Sequence, residues 1–366
     1  MPKKKGKHLK RKSKLAGIKV LMSGNEAVGE AAVVAGCKFY AGYPITPQNE
    51  LTAYMARRMR QEAREFVQAE SEIAAINMVF GASCTGVRAM TTSSSPGISL
   101  KQEGISYLAG CRLPAVIVNV MRGGPGLGNI APSQSDYFQA TKGGGHGDYR
   151  LIVLAPASVQ ECFDFTALAF ELADKYRNPV MVLTDAFLGQ MYEPIISPQL
   201  TAHRLQARKR SWALTGAKDR EQNIIRSLFL GEGELERHNL KLQKKYKEIE
   251  NKERRYEAVG VDSAEIIFVA YGISFRIAEE AAKELNKQGI KTGLFRPITL
   301  WPYPYEDLEK ICQDKKQVFV FELSYGQMVE DVRLAVGRKP PVHFYGRAGG
   351  GVFTADELVN FVKKKI

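Results

Sequence analysis

Residues 68–82 read QAESEIAAINMVFGA, and this stretch decides the fold that we expect for the chain. A strand predicted at residues 65–69 ends in an acidic pair, Glu70 and Glu72, which opens a helix of small residues. Alanine and glycine let such a helix pack closely on a sheet or on another subunit. A carboxylate at its start is then poorly solvated, which is costly without a hydrogen-bonding partner. Taken alone, the acid is more simply explained as complementing the helix dipole.

Strand and helix patterns alternate on both sides of this stretch, which indicates a parallel α/β sheet between residues 17 and 185. Strands are predicted at residues 18–22, 39–42, 65–69, 88–92, 115–121, 151–154 and 180–183. Helices are predicted at residues 26–35, 50–61, 72–83, 99–109 and 158–175. The last two strands are nearly continuous apolar runs, as expected where helices cover both faces of a sheet.

A charged segment separates this domain from a second one. Residues 231–257 are dense in Lys, Arg and Glu and predict a solvated helical connector. Strand patterns then resume at 265–271, 291–295, 318–322 and 342–345, with helices at 276–288, 305–312 and 327–337. We therefore predict four segments, namely a disordered basic tail at 1–18, an α/β domain at 19–200, a connector at 201–260 and a smaller α/β domain at 261–366.

Composition favours a cytoplasmic globular protein over a membrane or nucleic-acid-binding protein. The 366 residues contain no apolar run long enough to span a membrane and no signal-peptide pattern. Of the net charge of +13, nine basic residues precede the first acid, Glu26, which leaves about +4 for the rest. That basic run lacks the aromatic residues typical of nucleic-acid binding. The five cysteines and five histidines show neither iron–sulfur nor zinc spacing.

Two loops at predicted strand ends carry polar groups, and ligands of open parallel sheets bind at such ends. Residues 41–47 read AGYPITP, where two prolines restrict the backbone around the Thr46 hydroxyl. Residues 91–97 read TTSSSPG, a hydroxyl-rich turn before a helix. This second loop is either a simple N-cap cluster or a site for an anionic or polar ligand.

A third loop is rich in glycine and begins with an arginine. Residues 121–129 read MRGGPGLGN, so Arg122 directly follows an apolar strand and its guanidinium would emerge at the sheet edge. The planar guanidinium suits a carboxylate ligand. A structural ion pair with Asp136 or another acid of the loop is the alternative. The spacing of the glycines is neither that of a P-loop nor that of a dinucleotide-binding fingerprint.

In this order, the motifs YPITP, ESE, TSSSPG and MRGGP resemble the alpha subunit of the 2-oxoacid:ferredoxin (acceptor) oxidoreductases. Later motifs resemble the transketolase C-terminal-like domain of that family, namely GIS at 272–274, RPITLWP at 296–302 and ELSYGQ at 322–327. The resemblance covers residues 19–365 apart from the connector. It implies an α/β thiamine-diphosphate pyrimidine-type domain with a parallel sheet at 19–200, and a transketolase C-terminal-like α/β domain at 261–366.

The resemblance also implies an enzyme that is active only as a hetero-oligomer. Such enzymes decarboxylate a 2-oxo acid oxidatively to acyl-CoA and carbon dioxide, and pass electrons to ferredoxin. By match to the motifs, Glu72 rather than Glu70 would be catalytic and would bind the ring nitrogen of the aminopyrimidine. Thr46 and Arg122 would bind the substrate. Other cofactor contacts would come from Tyr43, Pro44, Ile45, Ser94 and Ser95.

One family pattern is missing from this chain. Family partners carry Gly-Asp-Gly followed by Asn, which binds magnesium and the diphosphate, whereas Gly147-Asp148 is followed here by Tyr149. The resemblance therefore implies that a beta subunit holds the Mg²⁺ and the diphosphate, and that this chain holds no metal. Iron–sulfur clusters would lie on partner subunits, a gamma subunit and a small ferredoxin-like delta subunit. Coenzyme A and ferredoxin would be the remaining partners.

The substrate is predicted from residues 126–138, which read GLGNIAPSQSDYF and are most similar to the branched-chain (2-oxoisovalerate) subfamily. A 2-oxoglutarate enzyme is the alternative, and it would need an extra basic side chain for the second carboxylate, such as Lys142 or Arg150. A hypothesis of another class is a non-catalytic scaffold subunit with a basic docking tail. An exposed Glu72 would favour that hypothesis.

Overall fold

The computed structural model describes residues 7–8, 18–197 and 210–366. The strands are β1 (Lys7–His8), β2 (Ile18–Ser23), β3 (Phe39–Gly42), β4 (Glu65–Gln68), β5 (Ala89–Ser93), β6 (Val116–Met121), β7 (Ile152–Leu154), β8 (Val180–Asp185), β9 (Tyr192–Ser197), β10 (Arg255–Val259), β11 (Ile266–Val269), β12 (Thr292–Pro297), β13 (Thr299–Trp301), β14 (Gln317–Glu322) and β15 (Val342–Gly346). The helices are α1 (Gly24–Val34), α2 (Asn49–Gln61), α3 (Glu72–Cys84), α4 (Ser95–Gly110), α5 (Tyr137–Thr141), α6 (Val159–Tyr176), α7 (Ala186–Gln190), α8 (Glu234–Lys252), α9 (Gly272–Lys287), α10 (Tyr305–Cys312), α11 (Met328–Val336) and α12 (Ala355–Lys363).

A seven-stranded sheet in the order β13-β7-β8-β6-β5-β3-β4 forms the centre of the first half. Six of its strands are parallel, and β13 is antiparallel at one edge. Both faces are covered, because Val116, Val118 and Val120 of β6 pack with α1, α2 and α6, whereas Ile117 and Met121 pack with α3 and α4. Burial on both faces explains the continuous apolar runs of the central strands.

The first predicted strand forms, but it lies outside this sheet. Instead, β2 pairs antiparallel with β9 in a separate two-stranded ribbon. Val20 is 41% and Leu21 67% exposed, so β2 lacks the two covered faces of a central strand. The placement of residues 18–22 in the parallel sheet was therefore wrong.

The second half forms a six-stranded sheet in the order β1-β10-β12-β11-β14-β15. Its strand β10 comes from the end of the predicted connector and pairs antiparallel with β12. The connector helix α8 forms as predicted, yet it is not solvated all round, because Leu242, Tyr246 and Ile249 are buried. Strand β13 also belongs to the second half of the chain, but it joins the seven-stranded sheet beside β7.

Much of the predicted basic tail lies outside the described residues. Of residues 1–18, only the backbones at 7–8 and 18 are described, and these belong to strands. All five cysteines are free and buried, as predicted for small hydrophobic side chains. No helix in the described ranges is both long enough and apolar enough to cross a membrane.

Candidate active site

The predicted loops meet at the carboxyl ends of the parallel strands of the seven-stranded sheet. Strands β6, β5, β3 and β4 are parallel neighbours, so their carboxyl ends lie side by side. The loops at 122–132 and 43–47 follow β6 and β3, Ser94 and the start of α4 follow β5, and α3 begins just after β4. The fold therefore places the predicted site residues at the carboxyl ends of these four strands.

Glu72 is the first residue of α3, and its side chain is buried at 6% exposure. The preceding Ser71 caps the helix, since its hydroxyl accepts a hydrogen bond of 3.1 Å from the Ala74 amide. Glu72 is thus free of the capping role, and it has no hydrogen bond or ion pair with any described residue. Glu70, by contrast, is exposed. The carboxylate oxygens of Glu72 keep a small accessible surface and have no protein partner among described residues, which leaves Glu72 open to a ligand.

Gly97 brings the start of α4 against this carboxylate. A Cβ atom at Gly97 would lie 2.5 Å from Glu72 Oε1 and 2.1 Å from Ser93 Oγ, so no other residue fits without a shift. The hydroxyls of Ser93 and Ser94 are buried, and neither has a hydrogen-bonding partner in the described structure. Ser94 occupies the N-cap position, but its side chain makes no capping hydrogen bond. The simple N-cap explanation therefore fails for Ser94, whose hydroxyl is available to a ligand.

Arg122 directly follows β6, the strand that pairs with β5, and is 6% exposed. Its guanidinium donates hydrogen bonds of 2.9 Å to the main-chain carbonyls of Thr46 and Leu127, and its Nε is buried without a partner among described residues. Its amide donates to the Ser95 hydroxyl over 3.0 Å. The predicted alternative of an ion pair with Asp136 is wrong. Asp136 instead accepts a hydrogen bond of 2.8 Å from Asn119, and burial raises the pKa of Asp136.

A buried hydrogen-bond network, which the sequence did not predict, fixes the end of the loop at 43–47. Gln48 is fully buried, and its side-chain oxygen accepts hydrogen bonds from Thr92 at 2.6 Å and Thr52 at 3.1 Å. The Thr46 hydroxyl accepts a hydrogen bond of 3.0 Å from Asn49, so its own proton can be donated to a ligand. Of the predicted cofactor contacts in this loop, Tyr43 and Pro44 are exposed and Ile45 is half-buried.

Lys101 in the middle of α4 is also fully buried, and sequence reasoning missed it. Its Nζ donates hydrogen bonds to the Thr91 hydroxyl and, over 3.2 Å, to the Thr92 carbonyl. Burial lowers the pKa of Lys101 to about 7, and the carboxylate of Glu72 acts in the opposite direction. In the sequence Lys101 is one polar residue in a mixed helix, which gives no signal of burial.

The loop at 122–132 is closed on itself and held by the second half of the chain. The Gly123 carbonyl accepts a hydrogen bond of 3.0 Å from the Asn129 amide, and a Cβ at Gly128 (φ +60°) would lie 1.7 Å from that carbonyl oxygen. The Asn129 side chain donates to the Gly349 carbonyl over 2.9 Å. This loop therefore has one fixed shape that includes a contact from the C-terminal half.

The segment after this loop is clamped by the motifs that resemble a transketolase C-terminal domain. The buried Gln134 side chain accepts hydrogen bonds from Ser274 at 2.6 Å and from the Leu323 amide at 2.9 Å. The Gln327 side chain accepts from the Phe138 amide at 2.8 Å and donates to the Ser135 carbonyl at 2.6 Å. These motifs therefore position residues that follow Arg122 in the chain.

The two basic side chains considered for a second substrate carboxylate are used elsewhere. Lys142 forms an ion pair with the buried Asp331. Arg150 is exposed and lines an open cleft against α8, together with Asp148 and Gln243. The structure thus brings together Glu72, Ser94, Ser95, Thr46 and Arg122, but neither Lys142 nor Arg150 joins them.

Comparison with known proteins identifies two family domains in this chain. The model of the pyruvate flavodoxin/ferredoxin oxidoreductase thiamine-diphosphate-binding domain matches residues 30–259. The model of pyruvate:ferredoxin oxidoreductase core domain II matches residues 264–358. Together they confirm the family that the motifs indicated.

Among curated proteins, ketoisovalerate oxidoreductase subunit VorB of Methanothermobacter thermautotrophicus is 52% identical over 94% of this chain and 97% of that protein. The 2-oxoglutarate synthase subunit KorA of Archaeoglobus fulgidus is 36% identical over 94% of this chain and 99% of that protein.

Among solved structures, the 2-oxoglutarate:ferredoxin oxidoreductase of Magnetococcus marinus matches with a TM-score of 0.85 and 30% identity. The match covers 95% of this chain and 65% of the Magnetococcus chain, so this chain spans just under two thirds of that protein. A split-gene transketolase, at a TM-score of 0.58 and 17% identity, shares the fold over 95% of this chain and 98% of that one. These matches confirm the predicted α/β fold class.

Proposed function

This chain belongs to the 2-oxoacid:ferredoxin oxidoreductase family, and we propose that it holds the pyrimidine half of thiamine diphosphate beside a bound 2-oxo acid. The observation that carries the proposal is the Glu72 carboxylate, which is buried at the start of α3 with no partner among described residues. Its surroundings fit an aminopyrimidine. Gly97 lets the start of α4 lie against the carboxylate and the Ser93 hydroxyl, and the buried hydroxyls of Ser93 and Ser94 have no hydrogen-bonding partner among described residues.

When bound, thiamine diphosphate supplies the carbon nucleophile that adds to the 2-oxo group and the electron sink for decarboxylation. Glu72 would accept a hydrogen bond from the ring nitrogen of the pyrimidine and share its proton. Because Glu72 is 6% exposed, little water competes for this hydrogen bond, and the low local dielectric strengthens it. The exposed Glu70 has no such environment.

Arg122 and Thr46 would hold the substrate. Two N–H groups of Arg122 are already fixed by the carbonyls of Thr46 and Leu127, which sets the plane of the guanidinium. Its other donors remain for a carboxylate, which guanidinium groups bind in a planar geometry. The Thr46 hydroxyl, whose oxygen accepts from Asn49, would donate to the oxo group.

We propose that the substrate is a branched-chain 2-oxo acid, 2-oxoisovalerate being the favoured member. The 52% identical relative is named a ketoisovalerate oxidoreductase subunit, whereas relatives named 2-oxoglutarate synthase subunits are 35–36% identical. The pairing of Lys142 with Asp331 and the position of Arg150 against α8 support this choice, because a second carboxylate would lack both cations. The products would be the acyl-CoA, carbon dioxide and reduced ferredoxin.

The proposed enzyme also needs companion chains, which would dock on an exposed apolar face of this chain. Five exposed apolar side chains belong to the segments that supply the site residues, namely Tyr43, Ile73, Leu100, Leu127 and Ile130. We propose that this face docks on a beta subunit that binds the diphosphate and Mg²⁺, because exposed apolar groups around a polar site are typical of interfaces. Gamma and delta subunits would carry the iron–sulfur clusters and deliver electrons to ferredoxin.

The test compares Glu72→Gln with Glu70→Gln in the reconstituted complex. We expect Glu72→Gln to lower 2-oxo-acid-dependent viologen reduction about a hundredfold or more, since proton sharing by a positioned acid contributes factors of this size. The matched control, Glu70→Gln, lies two residues away on the surface and should retain wild-type turnover. Equal turnover of the two variants would contradict the proposed role of Glu72 and support a scaffold function.

A further inference from the structure

Asn25, in the first turn of α1, is a buried amide that the proposed chemistry leaves without a role. Its Nδ2 donates hydrogen bonds of 2.9 Å to the Pro47 carbonyl and of 3.0 Å to Glu50 Oε2. Both acceptors are oxygen atoms, which fixes the orientation of the amide. The amide oxygen, Oδ1, is buried without a hydrogen-bonding partner among described residues, and this costs stability. The contribution of Asn25 is therefore its two N–H groups, and both are directed at residues 47–50.

These two hydrogen bonds fix the loop that carries Thr46. Pro47 directly follows Thr46 and is buried, and a proline has only its carbonyl for main-chain hydrogen bonding. Glu50 lies in the first turn of α2, so Asn25 ties the end of the loop and the start of this helix to one point on α1. The Thr46 carbonyl is held separately by Arg122 over 2.9 Å. Two consecutive carbonyls are thus bonded by side chains from two different elements.

We propose that Asn25 is a positioning residue for Thr46, which holds the threonine hydroxyl where it can donate to the oxo group of the 2-oxo acid. This inference rests on the substrate role proposed above for Thr46. The Thr46 hydroxyl accepts a hydrogen bond of 3.0 Å from Asn49, the residue before Glu50. A shift of residues 47–50 would therefore move the hydroxyl together with its partner. Displacement of a substrate-binding group by about 1 Å can cost about a hundredfold in rate.

The first test compares Asn25→Ala with Asn178→Ala in the complete complex. Asn178 is the matched control, because it is also a fully buried amide, whose Nδ2 donates to the carbonyls of Arg150 and Pro179 at 2.9 Å near the amino end of β8. We expect Asn25→Ala to lower kcat/KM for the 2-oxo acid by about tenfold or more, with an unchanged Kd for thiamine diphosphate with Mg²⁺. Asn178→Ala should keep the wild-type kcat/KM. No loss in Asn25→Ala, or an equal loss in both variants, would overturn the proposal.

A second set of variants keeps the size of the side chains and separates the two hydrogen bonds. In the double variant Asn25→Asp with Glu50→Gln, the donor and the acceptor of the side-chain pair are exchanged, so that pair is retained. The Pro47 carbonyl, however, then faces a carboxylate oxygen. We expect this double variant to lose kcat/KM as Asn25→Ala does, whereas Glu50→Gln alone keeps an oxygen acceptor and should match wild type. A wild-type kcat/KM for the double variant would reduce Asn25 to a packing role and overturn the proposal.

A third measurement does not depend on turnover. Amide hydrogen exchange of residues 43–52 is followed in the full chain without coenzyme, where the Gln48 amide donates to the Ile45 carbonyl over 3.1 Å. Asn25→Ala should speed exchange in this segment by about tenfold, because the loop opens more readily without its tether. Asn178→Ala should leave exchange there unchanged. Wild-type exchange in Asn25→Ala would contradict the tether.

The closing experiment measures the coupling of Asn25 to Thr46 with Thr46→Val, which removes the hydroxyl. In the Thr46→Val background, Asn25→Ala should cost little further kcat/KM, because its effect acts through the missing hydroxyl. Additive losses would overturn the inference. A wild-type kcat/KM for Thr46→Val itself would contradict the proposed substrate role of Thr46, whereas an impaired Thr46→Val beside an unaffected Asn25→Ala rejects only this inference.

Discussion

The guanidinium of Arg122 donates a hydrogen bond of 2.9 Å to the main-chain carbonyl oxygen of Thr46, 76 positions earlier in the chain. This contact joins the loop after β3 to the loop after β6, two segments predicted separately to bind substrate. Since Leu127 fixes a second nitrogen of the same guanidinium, the orientation of Arg122 is set before a ligand arrives. Preorganisation of this kind reduces the cost of binding.

Arg122→Lys should weaken substrate use while leaving the coenzyme bound. An ammonium group cannot bond both carbonyls and a carboxylate in one plane, so we expect a loss of about 2 kcal/mol, roughly thirtyfold in kcat/KM. Titration calorimetry should show an unchanged Kd for thiamine diphosphate with Mg²⁺. Arg57→Lys on the exposed side of α2 is the control and should match wild type. A wild-type kcat/KM for Arg122→Lys would remove Arg122 from the substrate site.

The reconstituted complex should prefer 2-oxoisovalerate over 2-oxoglutarate by at least about tenfold in kcat/KM, because an unpaired second carboxylate costs more than 1.4 kcal/mol. Steady-state rates with both substrates measure this ratio. Lys142→Met should leave it unchanged, because Lys142 is already paired with Asp331. A preference for the dicarboxylate, lost on Lys142→Met, would reverse the substrate assignment.

Glu322→Gln should destabilise the clamp on the segment after the substrate loop. Both oxygens of Glu322 accept main-chain N–H groups of residues 327–329 at 3.0–3.2 Å. A glutamine NH₂ group would face those donors, at a cost of about 1–3 kcal/mol in the free energy of unfolding. Denaturant unfolding measures the loss, and the exposed Glu330→Gln on α11 should be neutral. Equal stability of both variants would show that the carboxylate is dispensable.

Lys245→Met should flatten the pH dependence of stability. Burial, then Arg112 and Arg177, lower the pKa of Lys245 from 10.5 to about 7. Between these values the unfolded chain binds more protons than the folded one, so wild-type stability rises with pH. Lys245→Met removes this contribution, and its stability relative to wild type should decrease from pH 7 to pH 9. Unfolding midpoints at both pH values test this, and a constant difference would show that Lys245 stays charged.

The isolated chain should show no 2-oxo-acid-dependent viologen reduction, because its sequence lacks the Gly-Asp-Gly and Asn pattern that the family uses for the diphosphate and Mg²⁺. Activity should appear when a chain carrying that pattern and the cluster-bearing subunits are added. Turnover by the isolated chain would contradict the division of the coenzyme between two chains.

Strand-end motifs allowed several site residues to be predicted from the sequence. Because parallel strands end at one edge, YPITP, TSSSPG and MRGGP had to approach one another, and the structure places Thr46, Ser94 and Arg122 together. The choice of Glu72 over Glu70 agrees with their burial. The catalytic and binding roles of these residues remain predictions.

Pairing between distant segments could not be predicted. Strand β13 has only three residues and joins a sheet built from the other half of the chain, and β10 lies in a segment whose charges predicted a solvated helix. The helix α12 was missed as well, although Thr354 and Glu357 form a capping box at its start. Short elements are stabilised by their neighbours in space, which local sequence patterns do not report.

The sequence by itself determined the alternating α/β order and the residue types at the strand ends, because apolar periodicity and turn chemistry act locally. Only the tertiary structure decided which polar side chains are buried. Gln48, just before α2, and Lys101 within α4 look like ordinary surface residues in the sequence, yet both are fully buried. Their burial depends on acceptors and donors supplied by β5, and such partners exist only once the sheet and the helices have come together.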